Sequence, residues 1–214
     1  MAALTHPTIS AIAAMMLRSG GDGVVHQFSK LMPNYRRLKT PGRTYFITQV
    51  THQRNPWLCK DVGRKALREG ILQVKAKHPF SLDAFILLPD HFHCLLTLPP
   101  HDHDFFGRLR LIKTYVTKHY KEAITVEGSI SLSRRKRQES NLWQRRFWEH
   151  LIRDEQDFAL HCNYIHYNPV KHGLCKSAQD WQFSTIHRFI SQAIYPPNWG
   201  LDESKMMLSN VASE

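Results

Sequence analysis

Two histidines flank a phenylalanine in the run HFHCLLTL (91–98). If the run is a strand, alternation sends His91, His93, Leu95 and Thr97 to one face and Phe92, Cys94, Leu96 and Leu98 to the other. Two neutral imidazoles side by side on one face can chelate a divalent metal. Spacing alone does not make them ligands, because most His-x-His pairs are core or surface histidines. His101 and His103, around Asp102 in a proline-flanked loop, read as solvated. A second group lies on the helical pattern that follows Asp154. Steps of 100° bring His161, Tyr164 and Asn168 within about 60° of one another. They offer an imidazole, a phenol and an amide beside an apolar stripe of Phe158, Cys162 and Ile165. From the helix alone, Tyr164 reads better as a boundary tyrosine with a packed ring and a wet hydroxyl. Pro169 disfavours helical geometry at the residue before it, so the relation of Asn168 to Tyr164 is expected to be distorted.

The elements that must hold these groups are legible from Arg43 onward. RTYFITQV (43–50) has the β-branched and aromatic content of a strand and ends in a turn through Asn55-Pro56. A helix follows, with Asp61 as its N-cap and Leu67, Ile71 and Val74 at helical spacing until His78-Pro79. LDAFILL (82–88) and the histidine run, separated by Pro89-Asp90, read as a β-hairpin. Phe105, Leu109, Ile112 and Val116 mark a second helix, and GSISLSRRKRQES (128–140) a mobile basic loop. NLWQRRFWEHLI (141–152) alternates like a strand, and Asp154 caps a third helix. The order β-α-β-β-α-β-α predicts an α+β fold, the ferredoxin-like split βαβ, with an antiparallel sheet backed by helices.

The chain has 214 residues, about 1.4 domains at roughly 150 residues per domain, so one core with extensions is expected. An apolar share of 42% supports that core and excludes a largely disordered chain. Residues 1–31, Ala-rich and then Gly-rich, read as a poorly ordered appendage without a secretory cleavage site, and Met32 is an alternative start. The main folded unit is expected over 32–175, with a basic insert at 125–140 and a tail at 176–214. The four cysteines form no Cys-x-x-Cys pair and read as reduced thiols of a cytosolic protein. No run reaches the roughly 18 apolar residues of a membrane span. The net charge of +11 therefore points to nucleic acid. Twelve Lys/Arg against five acidic residues give the window 104–153 a net +7. Arg108, Arg110, Lys113, Arg145, Arg146 and Arg153 are its expected DNA contacts, forming a track for one strand toward the site. In WQRRFW the aromatics suit unpaired bases and the arginines phosphates, although Phe147 or Trp148 is expected in the core.

Taken together, PGRTYFIT (41–48), LLPDHFHCLL (87–96), RFWEHLIRDEQDF (146–158), YIHYNPVKHGL (164–174), DWQFSTIHR (180–188) and YPPNWG (195–200) resemble the REP-associated tyrosine transposases. These are relatives of the single-tyrosine HUH transposases of insertion sequences. The resemblance runs from about Asn34 to Gly200. It implies that His91 and His93 bind Mg²⁺ or Mn²⁺, that Tyr164 is the nucleophile, and that Asn168 stands where insertion-sequence relatives place a glutamine ligand. His161 is a candidate for bracing these groups from behind, and Tyr167 for support. The implied activity is single-strand DNA cleavage and strand transfer through a 5′-phosphotyrosine intermediate. The implied substrate is a repetitive extragenic palindrome, a DNA hairpin with a single-stranded tetranucleotide at its foot, which the segment 180–200 would contact or else cover the active site. Insertion-sequence relatives exchange active-site helices in dimers, whereas the REP-associated branch points to a monomer; a cytoplasmic, nucleoid-associated protein follows. Two other readings stay open at this stage. One is a non-catalytic protein that binds structured nucleic acid. The other is a metal-dependent RNase with His93 as acid/base.

Overall fold

The computed structural model describes residues 40–124, 131–137 and 139–201; the expectations for residues 1–31, for Met32 as a start and for positions 125–130 and 138 of the 125–140 insert lie outside them. Its elements are β1 (Thr44–Val50), α1 (Asp61–Lys77), β2 (Ser81–Leu87), β3 (His91–Thr97), α2 (Phe105–Tyr120), the short α3 (Leu132–Lys136), β4 (Trp148–Leu151), α4 (Glu155–Lys171) and the short α5 (Ile186–Ser191). The four strands form one antiparallel sheet in the order β2-β3-β1-β4, as a split βαβ requires.

Both faces of the sheet are covered, and this is why β1 and β3 are buried almost throughout, polar residues included. Tyr45, Ile47, Phe92, Cys94 and Leu96 pack against Leu67 of α1 and Leu109 and Ile112 of α2. On the other face Phe46, Ile86 and Leu95 pack against Cys162, Tyr164 and Ile165 of α4. In β1, adjacent residues thus serve different layers. None of the helices among the described residues is long and apolar enough to cross a membrane.

Three local expectations are corrected. The N-cap of α1 is Lys60, and Asp61 is the first helical residue, where its carboxylate pairs with Arg64 and still favours the positive helix end. The strand expected over 141–152 is reduced to its last part. Upstream of it an isolated antiparallel bridge joins Trp143 to Thr51, with the Gln144 amide on Val50 O (3.0 Å) and the His52 amide on Leu142 O (3.0 Å), and the register then shifts before Trp148 meets Thr48; the Gln144 and Trp143 carbonyls accept from Lys113 (2.8 Å) and Arg134 (3.1 Å). The basic run is not all loop either: Ser131 caps α3, and Arg134 turns inward to Ser140, His52 and Trp143.

Residues 178–195 are built into the second core, where Ala178, Ile186, Phe189 and Tyr195 are buried. The Thr185 amide donates to Phe85 O (2.9 Å) and the Phe85 amide to Thr185 Oγ1 (2.8 Å), so this segment pairs along the outer edge of β2 and removes an open strand edge. Buried His166 of α4 joins it from the helix side, with Nδ1 3.0 Å from Tyr195 Oη and Nε2 2.8 Å from Thr185 Oγ1. Tyr195 in turn donates to Asn163 Oδ1 (2.9 Å). Burial holds the His166 pKa down at about 3, so a neutral ring completes the chain of hydrogen bonds. Replacing His166 with Ala removes one hydrogen bond from each of two hydroxyls and leaves a ring-sized void. The expected cost is about 3 kcal/mol, seen as a fall in Tm of about 9 °C in a thermal melt.

Candidate active site

Cross-strand pairing sets the imidazoles. His93 pairs with Thr48 and His91 with Val50, and partners in a rank project to the same face. His93 Nδ1 lies 2.7 Å from Thr48 Oγ1, and His91 Nδ1 lies 2.6 Å from Asp90 Oδ1. Asp90 also accepts from Arg54 (2.9 Å). Burial alone would raise the Asp90 pKa, but the bonds from His91 and Arg54 outweigh it and hold the carboxyl below its usual range. With both Nδ1 atoms engaged, the buried Nε2 atoms are the nitrogens that could face a metal. The two rings lie 4.9 Å apart, edge to face.

Helix α4 supplies the other side. Its N-cap is Asp154, whose carboxylate accepts the Asp157 amide (2.8 Å). It continues through Pro169 to Lys171, so the expected distortion at Asn168 does not arise and Tyr164, Asn168 and His172 follow one another a turn apart. The Tyr164 ring stands 5.3 Å from His93, and the His172 ring 5.3 Å from His91. Asn168 falls between these two contacts. It is fully buried, and neither end of its amide has a hydrogen-bond partner in the protein. A buried amide left so is costly unless a ligand completes it. Two imidazole nitrogens anchored from behind and an unmatched carboxamide oxygen fit a hard divalent cation. Lys171 places its ammonium 4.8 Å over the Tyr164 ring, while Tyr167 turns aside, beside Gly200.

His161 does not reach the two β3 histidines. Its Nδ1 lies 2.7 Å from Asp157 O, and its ring packs on Phe46 (4.7 Å), which in turn contacts His93 (5.5 Å) and Tyr164 (5.7 Å). With His150 and Asp157 it forms a cluster whose ligand atoms lie within 4.8 Å of one another, close enough to hold an ion. The Asp157 carboxylate, however, is already matched by His150 (2.8 Å), the Arg153 amide (3.0 Å) and Arg153 Nε (3.0 Å). Burial opposes its ionisation, but these bonds prevail and bring its pKa to about 2. A satisfied cluster is a brace, whereas the unmatched amide near His91 and His93 calls for a ligand, so the latter is the stronger candidate for a metal.

The basic residues divide between the two faces. On the α2 side a cleft of about 760 Å³ is lined by Arg110, Lys113, Lys118, Lys121, Arg137 and Arg145, with Phe106 and Phe147 between them. The sheet separates it from Tyr164, which corrects the expected continuous track to the nucleophile. Arg108 is removed from the set of DNA contacts. It is buried and its guanidinium is bound to Asp102, Pro79 O and Asp104 O, so it ties the start of α2 to the preceding loops. Arg110, Arg145 and Arg146 are exposed; Arg153 is exposed too, though tied to Asp157. The sequence reading missed Asp90, Thr48, Lys171 and His172. A continued helical spacing of 164, 168 and 172 was the signal for the last, masked by Pro169.

The sequence profile of the family described as "Transposase IS200 like" matches residues 40–168. A REP-associated tyrosine transposase of Escherichia coli K12 is 39% identical over 171 residues, covering 80% of this chain and 93% of the relative. A Haemophilus influenzae protein named among the REP-associated tyrosine transposases is 41% identical over 169 residues, covering 79% and 94%. A solved structure of such a transposase bound to a REP hairpin superposes with a TM-score of 0.65 at 38% identity, covering 80% of this chain and 93% of that one.

Proposed function

Because the chain belongs to the IS200-like transposases, and among them to the REP-associated tyrosine transposases, we propose that it nicks and rejoins one strand of hairpin DNA with Tyr164 as nucleophile. The observation that carries this reading is the meeting of Tyr164 with His93 beside the buried, unmatched Asn168 amide. His91, His93 and Asn168 would hold Mg²⁺ or Mn²⁺. A divalent ion there would supply positive charge to the scissile phosphate.

A phenol is a weak nucleophile at neutral pH, with a pKa near 10, unless charge on its oxygen is stabilised. The Lys171 ammonium over the ring favours that charge. Tyr164 Oη loses its proton to solvent as it bonds to phosphorus. The bond from phosphorus to the 3′ oxygen breaks, and that oxygen leaves and takes a proton. A 5′-phosphotyrosine and a free 3′-OH result, and attack by such a hydroxyl reverses the step without an external energy source. Nucleophile and candidate ligands come from one chain, which supports a monomer as the working unit. The test is a labelled hairpin with a single-stranded foot, incubated with protein and Mn²⁺. A denaturing gel should show a protein–DNA adduct, mapped by mass spectrometry to the peptide holding Tyr164. An adduct elsewhere, or none on any REP-like hairpin, overturns the assignment.

Backbone phosphates of the hairpin are assigned to the cleft through Arg110, Lys113 and Arg145, and to Arg146 and Arg153 on the β4 side. Lys113 gives this a pH signature. Burial lowers its pKa to about 8, and it donates to Gln49 Oε1 (3.0 Å) and Gln144 O. Phosphate favours the protonated amine, so affinity should fall as pH rises from 7 to 9, most steeply near 8. Lys113→Met should bind more weakly at pH 7 and lose most of that pH dependence, as measured by fluorescence anisotropy at fixed salt.

A further inference from the structure

Trp148 opens β4 and is 41% exposed, whereas Trp57 and Trp143 are buried. Its position is set by rank: Trp148 pairs with Thr48, and Thr48 pairs with His93. Partners in a rank share a face, so Trp148 stands on the nucleophile's side of the sheet, two strands or about 10 Å from His93. Its ring meets Phe46 edge-on (5.5 Å, 72°), and Phe46 contacts both His93 and Tyr164.

The ring is held from behind. His150 lies parallel to it (6.0 Å, 10°) and is itself stacked on His161 (4.7 Å, 13°). His150 is fixed by the buried Asp157 carboxylate, which gives that hydrogen-bonded cluster a use without an ion. Arg146, two residues earlier, and Arg153, two residues beyond the strand, are exposed cations on either side in sequence. A braced, flat aromatic surface between cations suits a nucleobase attached to its phosphates. The base must be unpaired, because a base within a duplex has both of its faces covered by neighbours.

We propose that Trp148 is the floor of a subsite for an unpaired nucleobase in the strand whose phosphate meets Tyr164. This rests on the strand-cleavage reading above, and the test separates the two. Full-length protein is titrated with a REP hairpin carrying a four-nucleotide single-stranded foot and with the same hairpin made blunt. Trp148→Ala should weaken binding of the tailed hairpin about tenfold and leave the blunt one unchanged, and Trp148→Phe should restore most of the difference. With 5-iododeoxyuridine in the foot, irradiation should cross-link the strand to the peptide containing Trp148. An unchanged ratio of tailed to blunt affinity, an equal loss on both, or cross-links only to other peptides would each overturn the proposal. If wild type forms the Tyr164 adduct while the ratio is unmoved by Trp148→Ala, only the subsite fails. If no adduct forms yet the ratio collapses as described, only the cleavage reading fails.

Discussion

Tyr164→Phe should abolish the covalent protein–DNA adduct, with single-turnover cleavage reduced at least about 10⁴-fold, while hairpin affinity stays within about twofold. The substitution removes one oxygen and keeps the ring that packs on His93 and Phe46 and lies under Lys171. Folding and DNA contacts are therefore preserved, and the loss reads the chemistry alone. Tyr167 is the internal control. It lies a step around the helix and against Gly200, so Tyr167→Phe should keep the adduct at close to wild-type yield. Adduct formed by Tyr164→Phe, or lost in Tyr167→Phe with the fold intact, would reverse the assignment.

The second large effect concerns the imidazoles proposed to hold the metal. His93→Ala should reduce single-turnover cleavage about 10³-fold at any Mn²⁺ concentration, equal to the loss of several kcal/mol of charge stabilisation. Chelating the divalent ions from wild type should give a loss of the same size. Thr48→Val keeps the imidazole and removes only the hydroxyl 2.7 Å from its Nδ1. A loosened ligand should then cost about 10- to 100-fold in metal affinity, recoverable by raising Mn²⁺. Full activity of His93→Ala without added metal would exclude the site. A cleavage defect that appears instead in Asp157→Asn, with His93→Ala unaffected, would move the metal to the cluster of His150, Asp157 and His161.

Much of this was readable from periodicity. Alternation in HFHCLLTL put His91 and His93 on one face, and the pattern around Phe158, Cys162 and Ile165 put Tyr164 near the core. Their meeting was not readable, because it depends on β3 lying beside β1 and α4 crossing that face, which are relations between distant segments. Pro169 hid His172 for a local reason: a proline lacks one backbone donor and crowds the preceding turn, yet burial of the Tyr164–Asn168 stripe keeps the helix going. Arg108 and Arg134 show the limit of counting charge. Both sit in the +7 window, and both are bound to groups of the protein itself, Arg108 to Asp102 and Arg134 to backbone carbonyls. Charge in a sequence says that an anion or acceptor is needed, not that the partner is another molecule. Thr48 and Asp90 were invisible because a hydroxyl or carboxylate behind an imidazole has no sequence signature of its own.

Adjacent residues of β1 serve opposite layers: Gln49 meets Lys113 in the cleft, while Thr48 steadies His93. Under the proposed division of labour, the strand shares its backbone between recognition and bond-breaking but shares no side chain. Substitutions lining the cleft can therefore change how tightly the hairpin's phosphates are gripped without disturbing the atoms proposed to cut, and the reverse also holds. A lineage can tune affinity for nucleic acid on one side of the sheet while the proposed chemistry on the other stays constant. The same separation lets affinity and bond-breaking be selected one at a time.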